Sequence, residues 1–166
     1  MSDTKGPAGA LDGLTHLDAD GQARMVDVGD KPVTERTAVA HAVLRMRPQT
    51  LRVLLEGRAP KGDVLAVARV AGIQAAKRTP ELIPLCHQIA LTRSEVDFEQ
   101  TGPETLRVVT RVEARDRTGA EMEAMTAATV AALTVYDMLK AIDRGMTIEQ
   151  VGLQKKTGGQ RGDYQR

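Results

Sequence analysis

From Leu91 to Glu99 apolar and polar positions alternate, Val96 and Phe98 against Glu95, Asp97 and Glu99, and Thr105 to Arg115 repeats the pattern with Leu106, Val108, Thr110 and Val112. A period of two belongs to a strand with one dry face and one wet face. Gln100-Thr101-Gly102-Pro103-Glu104 between them is turn chemistry, so the two segments predict an antiparallel hairpin. Thr34 to Met46 also alternates, with Ala38, Ala40 and Ala42 on one face and Val39, His41 and Val43 on the other; its alanines suit a helix too, and both readings stand. Ala23 to Val28 reads as a brief strand with Met25 and Asp27 on one face, after a short extended piece from Thr15.

The remaining apolar spacing is helical. Pro48 starts a short helix through Leu51, Val53, Leu54 and Leu55 that Gly57 stops. Asp63 is the N-cap of a second helix that continues through Ile73 toward Lys77, and Gly72, which costs a helix about 1 kcal/mol relative to Ala, predicts close approach by another backbone. Glu121 to Asp143 is the longest helical stretch, acidic at its start and ended by Arg144-Gly145, and Ile148 to Lys155 is a last strand. The order strand, helices, strand, strand, helix, strand is that of a split βαβ sandwich, α+β, with helices on one face of an antiparallel sheet. A length of 166 residues suits one such domain. Its expected bounds are 14–156, after a disordered segment 1–13 and before a flexible Gly-rich basic tail 157–166.

Composition narrows the classes. Lys+Arg 23 against Asp+Glu 22 gives a formal net charge of +1, which points to no polyanion or membrane surface, although the first thirty residues are acidic and the tail basic. Aromatics are 2% with no Trp, so no base-stacking platform can be built, and nucleic acid is not an expected partner. One Cys excludes an intrachain disulfide, and without a charged-then-apolar leader the chain reads as cytoplasmic. No run reaches the roughly 18 apolar residues of a membrane span.

Chemistry concentrates between Lys77 and His87. Pro80 and Pro84 forbid a long helix there, and the stiff connector ends in Cys86-His87, the only thiol beside an imidazole. A buried structural thiol and a loop histidine are the bland alternative. On the long helix Glu123, Val130 and Asp137 share a stripe, but fourteen residues place Glu123 and Asp137 roughly 21 Å apart. Asp137, in an apolar turn, needs a partner; Lys140 is within reach, either as a structural ion pair or as a proton donor of adjustable pKa. His16, His41 and His87 lack metal-ligand spacing, so no metal is expected. No Walker loop is present, yet Lys61-Gly62 and Lys156-Thr157-Gly158-Gly159 each set a Lys beside Gly at an element end, a way to hold polyphosphate.

Leu14-Thr15-His16, Met25-Val26-Asp27-Val28, Lys61-Gly62-Asp63-Val64, Ala71 to Thr79, Leu82 to His87, Glu121 to Ala124 and Ala131 to Met138 together resemble the cyclic pyranopterin monophosphate synthase family of molybdenum cofactor biosynthesis. The resemblance spans about Leu14 to Asp163. It implies a ferredoxin-like subunit, a homohexamer arranged as a trimer of dimers with sites at subunit interfaces, and a nucleotide-derived small-molecule substrate, 3′,8-cyclo-7,8-dihydroguanosine 5′-triphosphate, rearranged with loss of pyrophosphate. Carried over by position, Leu85, Cys86, His87, Met122 and Glu123 match substrate-binding segments. Asp137 matches the acid–base position, and Lys61, Glu121, Lys140 and Lys156 match further pocket residues. His87 joins Asp137, Lys61 and Lys140 as a candidate for proton transfer, while Cys86 is expected to be a pocket wall and not a nucleophile. No cofactor is implied, and a Mg²⁺ requirement is left open. Gln88, Gly152 and Gln160 depart from the family's pattern, which bears on the tail's phosphate contacts.

Overall fold

The computed structural model describes residues 20–159 and 162–166, and the expectations for residues 1–13, for Leu14-Thr15-His16 and for Gln160 lie outside them. Among the described residues the elements are β1 (Thr34–Arg45), α1 (Pro48–Leu55), α2 (Val64–Lys77), α3 (Thr79–Leu82), β2 (Leu91–Gln100), β3 (Thr105–Asp116), α4 (Glu121–Leu139), β4 (Thr147–Thr157) and β5 (Tyr164–Gln165). They form one antiparallel sheet in the order β2-β3-β1-β4-β5 with helices packed on it, an α+β ferredoxin-like arrangement. Thr34–Met46 is thus strand and not helix. Its even positions Ala38, Ala40, Ala42 and Leu44 are fully buried in the core shared with Ala124, Ala127, Ala128 and Ala131 of α4. Small side chains on both surfaces let helix and sheet come close, and Gly72 extends this to α2. A Cβ at Gly72 would stand 3.0 Å from the Ala127 carbonyl oxygen and 3.2 Å from the Ala131 Cβ.

Two expectations are corrected. Ala23–Val28 is not a strand: one bridge at Ala23 precedes irregular extended backbone. Its apolar side chains are not laid against the sheet, Met25 being 52% exposed, and the Val26 carbonyl meets the His87 ring instead of a neighbouring strand. The long helix ends at Leu139, short of Asp143. Asp143 is 5% exposed and accepts from the Arg47 amide at 3.0 Å, the Thr50 hydroxyl at 2.9 Å and the Gly145 amide at 3.2 Å, so its carboxylate organises the turn into β4 instead of extending α4. Within the basic tail, Tyr164–Gln165 folds back to pair with Lys155–Lys156.

Topology decides where side chains gather. α2 begins at the end of the sheet where β1 finishes and runs back, delivering the connector to the opposite end; α4 starts at that opposite end, after Asp116 of β3, and returns. The register sets Thr34 against Asp116 and Thr37 against Thr157. One end of the sheet therefore collects the start of β1, the ends of β3 and β4, and the first turn of α4.

Candidate active site

At that end the first turn of α4 presents Glu121 and Glu123, carboxylates that suit the positive end of the helix dipole. Glu121 Oε1 accepts from Lys156 Nζ at 2.8 Å, a half-buried pair, and Gly119 leaves the room its carboxylate occupies, since a Cβ there would lie 1.8 Å from Glu121 Oε2. Glu123 is 1% exposed; its Oε1 accepts from the Cys86 thiol at 3.5 Å. Burial pushes the Glu123 carboxyl up from its ordinary value. Burial and then the Glu123 charge push the Cys86 thiol up to about 12, which keeps it protonated and a poor nucleophile. Leu85 and Met122 flank these groups, each 38% exposed. His87 Nε2 lies 2.7 Å from the Val26 carbonyl oxygen. A carbonyl only accepts, so Nε2 carries the proton and Nδ1 accepts when the ring is neutral. The segment that failed to form a strand thus orients this imidazole.

Beside them opens a cleft of about 530 Å³ lined by Lys31, Arg36, Arg117 and Lys156 together with Thr118 and Glu121. Arg36 is 8% exposed, with Nε donating to the Asp116 carbonyl and Nη2 to the Arg117 carbonyl, both at 3.3 Å. Among the described residues it meets these carbonyls and no carboxylate, so its charge is not neutralised. A Cβ at Gly159, whose φ is +95°, would lie 1.9 Å from Arg36 Nη1, so this glycine just beyond β4 makes room for the guanidinium. Lys31, Arg36 and Arg117 were not singled out by sequence. A signal existed: Arg36 shares the even parity of Ala38, Ala40 and Ala42, and a cation on a strand's buried face calls for an anion.

The other candidates gather at the far end of α4. Asp137 Oδ1 lies 2.7 Å from Lys140 Nζ, while Lys61 Nζ donates to Asp137 Oδ2 at 3.2 Å and to its carbonyl at 2.9 Å. All three are exposed. The Asp137–Lys140 pair foreseen from spacing is therefore a trio. Hydrogen bonds from Lys140 and Lys61 hold the Asp137 carboxyl below its usual range, and the bond to Asp137 raises Lys140. Asp137 is thereby held as a carboxylate and Lys140 as an ammonium, by each other and not by burial. Gly62, at φ +88°, and the Asp63 cap on Ala66 N at 3.0 Å fix the Lys61 loop. A cavity of about 390 Å³ lies between Lys61, Tyr136, Lys140 and Arg144.

Cys86, His87, Glu121, Met122, Glu123 and Lys156 thus stand together, as do Lys61, Asp137 and Lys140. Within one chain the two groups are kept apart by α4, which is continuous from Glu121 to Leu139; from Glu123 to Asp137 is roughly 21 Å. Among the described residues no three His, Cys, Asp or Glu side chains cluster as metal ligands, and no helix is long and apolar enough to cross a membrane.

Residues 25–159 match the profile of a family described as the MoaC family. The chain is 62% identical, over 92% of its length and 93% of the relative's, to the cyclic pyranopterin monophosphate synthase of Thermomicrobium roseum. It is 58% identical to the protein of that name from Herpetosiphon aurantiacus, over 92% of this chain and 93% of the other.

Proposed function

Because the chain belongs to the MoaC family, we propose that it is a cyclic pyranopterin monophosphate synthase: a lyase of molybdenum cofactor biosynthesis that converts (8S)-3′,8-cyclo-7,8-dihydroguanosine 5′-triphosphate to cyclic pyranopterin monophosphate and pyrophosphate. The observation that supports this reading most directly is the four-cation cleft beside two acceptor carboxylates at the start of α4. A guanine-derived ring offers amino and ring N–H donors, which Glu121 and Glu123 accept; a triphosphate offers the charge that Lys31, Arg36 and Arg117 lack, and a further acceptor for Lys156, which is paired with Glu121.

Closing the cyclic phosphate requires a sugar hydroxyl to attack the α-phosphorus: a new P–O bond forms, the bond to pyrophosphate breaks, and the hydroxyl proton passes to a base. Charge builds on the phosphate oxygens and the leaving group, so fixed cations lower the barrier. Rebuilding the ring needs proton transfers at several atoms. Asp137 as carboxylate base, Lys140 and Lys61 as cationic acids, and His87 through its free ring nitrogen supply them. These steps call for no resident cofactor.

A single substrate must meet both groups of residues, and α4 separates them by roughly 21 Å within a chain. The same reading therefore takes the site from two chains, in a cytoplasmic homohexamer built as a trimer of dimers. The helical layer offers a surface for this, since Val67, Val70, Met122 and Leu133 are exposed on α2 and α4. The test is incubation of the purified protein with the cyclic GTP derivative. Pyrophosphate and the cyclic pterin phosphate should appear in equal amounts; binding without pyrophosphate release would overturn the proposal and leave a non-catalytic module.

A further inference from the structure

Glu123 is the most deeply buried charged side chain of the candidate site, yet the Cys86 thiol is its one side-chain donor among the described residues. Oε2 is buried without a hydrogen-bond partner. A buried lone pair with no donor is costly, so a position that retains one suits a donor that arrives later. The thiol has a second acceptor close by, the His87 carbonyl at 3.6 Å, which places the sulfur between the connector's backbone and the helix. With its pKa pushed up to about 12, Cys86 stays a protonated donor across the working range.

On the reading that Glu123 accepts from the substrate's guanine-derived edge, we propose that Cys86 is a positioning residue: its thiol ties down Oε1 and thereby holds an ionised Glu123 whose buried Oε2 has no donor until the substrate's N–H groups reach it. The electrostatics agree. Burial raises the Glu123 carboxyl, and Glu121 on its own helix and Asp116 at the end of β3 raise it further. Its backbone amide and the Cys86 thiol act in the opposite direction. The thiol is the one of these that substitution removes without touching a charge.

Loss of the thiol raises the Glu123 pKa, so the carboxyl protonates at a higher pH and presents a donor where an acceptor is needed. For Cys86→Ala the acid limb of kcat/KM should move to higher pH, with KM up roughly tenfold at neutral pH and kcat within roughly threefold of wild type. Cys86→Ser, which restores a donor, should bring the limb back. If serine and alanine behave alike and neither moves the limb, Cys86 is packing alone and the proposal fails. A second readout needs no turnover. The chain has one Cys, so its S–H stretching band is unambiguous, and Glu123→Gln should shift it to the higher frequency of a weaker hydrogen bond. A band that ignores Glu123→Gln overturns the contact. A shifted band in a protein that releases no pyrophosphate supports the contact and overturns the functional reading instead.

Discussion

Lys61 and Asp137 are exposed polar groups that bond to each other across the gap between the α2 entry loop and the end of α4. Their removal takes away chemistry and little packing. Lys61→Ala or Asp137→Ala should cut pyrophosphate release at least about a hundredfold with circular dichroism unchanged; near-normal turnover in either would sink these roles. Arg36 makes a separate prediction, since it is a buried cation held by carbonyls alone. Arg36→Ala should raise KM by roughly tenfold or more. Gly159→Ala should reproduce part of that loss, because its Cβ would meet the guanidinium; titration with inorganic pyrophosphate checks both. At this scale the sequence was readable where a residue type is scarce or sits against its pattern, as with Cys86 or Asp137. The bond between His87 and Val26 was not readable, because it joins residues sixty-one apart through a backbone carbonyl that any sequence would supply.

Elements were legible where period and punctuation agree. The hairpin, the Pro48 helix and the Asp63 cap needed only local physics. Gly72 predicted close backbone approach without saying which backbone; the answer, Ala127 on α4, is tertiary. The end of α4 was misplaced because Ala141 to Asp143 remains compatible with helix locally, and what stops it is a carboxylate recruited by Arg47 and Thr50 almost a hundred residues earlier. Burial alone would push the Asp143 carboxyl up. The Arg47 and Gly145 amides, the Thr50 hydroxyl and the Arg47 charge outweigh it and leave the group below its ordinary value. A depressed folded pKa contributes stability above the unfolded value and loses it as pH falls through the folded one. Asp143→Asn should therefore cost about 1–3 kcal/mol at neutral pH, and its deficit against wild type should close below about pH 4. Chemical denaturation at the two pH values decides it; a gap that persists in acid would contradict the assignment.

Over the whole molecule, the split βαβ order was readable from element sequence alone, because few topologies close such a chain into one sheet with a helical layer. The ferredoxin-like topology then carries the start and end of α4 to opposite ends of the sheet, and with them Glu123 and Asp137. Complementation tests the shared site most directly. Glu123→Ala and Asp137→Ala chains, each inactive alone, are mixed, unfolded and refolded together, and the mixed oligomers are verified by mass. Interfaces that receive an intact Glu123 from one chain and an intact Asp137 from another should recover part of the wild-type pyrophosphate release. Mixed oligomers no more active than the separate variants would mean that one chain must hold both residues or that one of them is dispensable, and a site shared between chains would be contradicted.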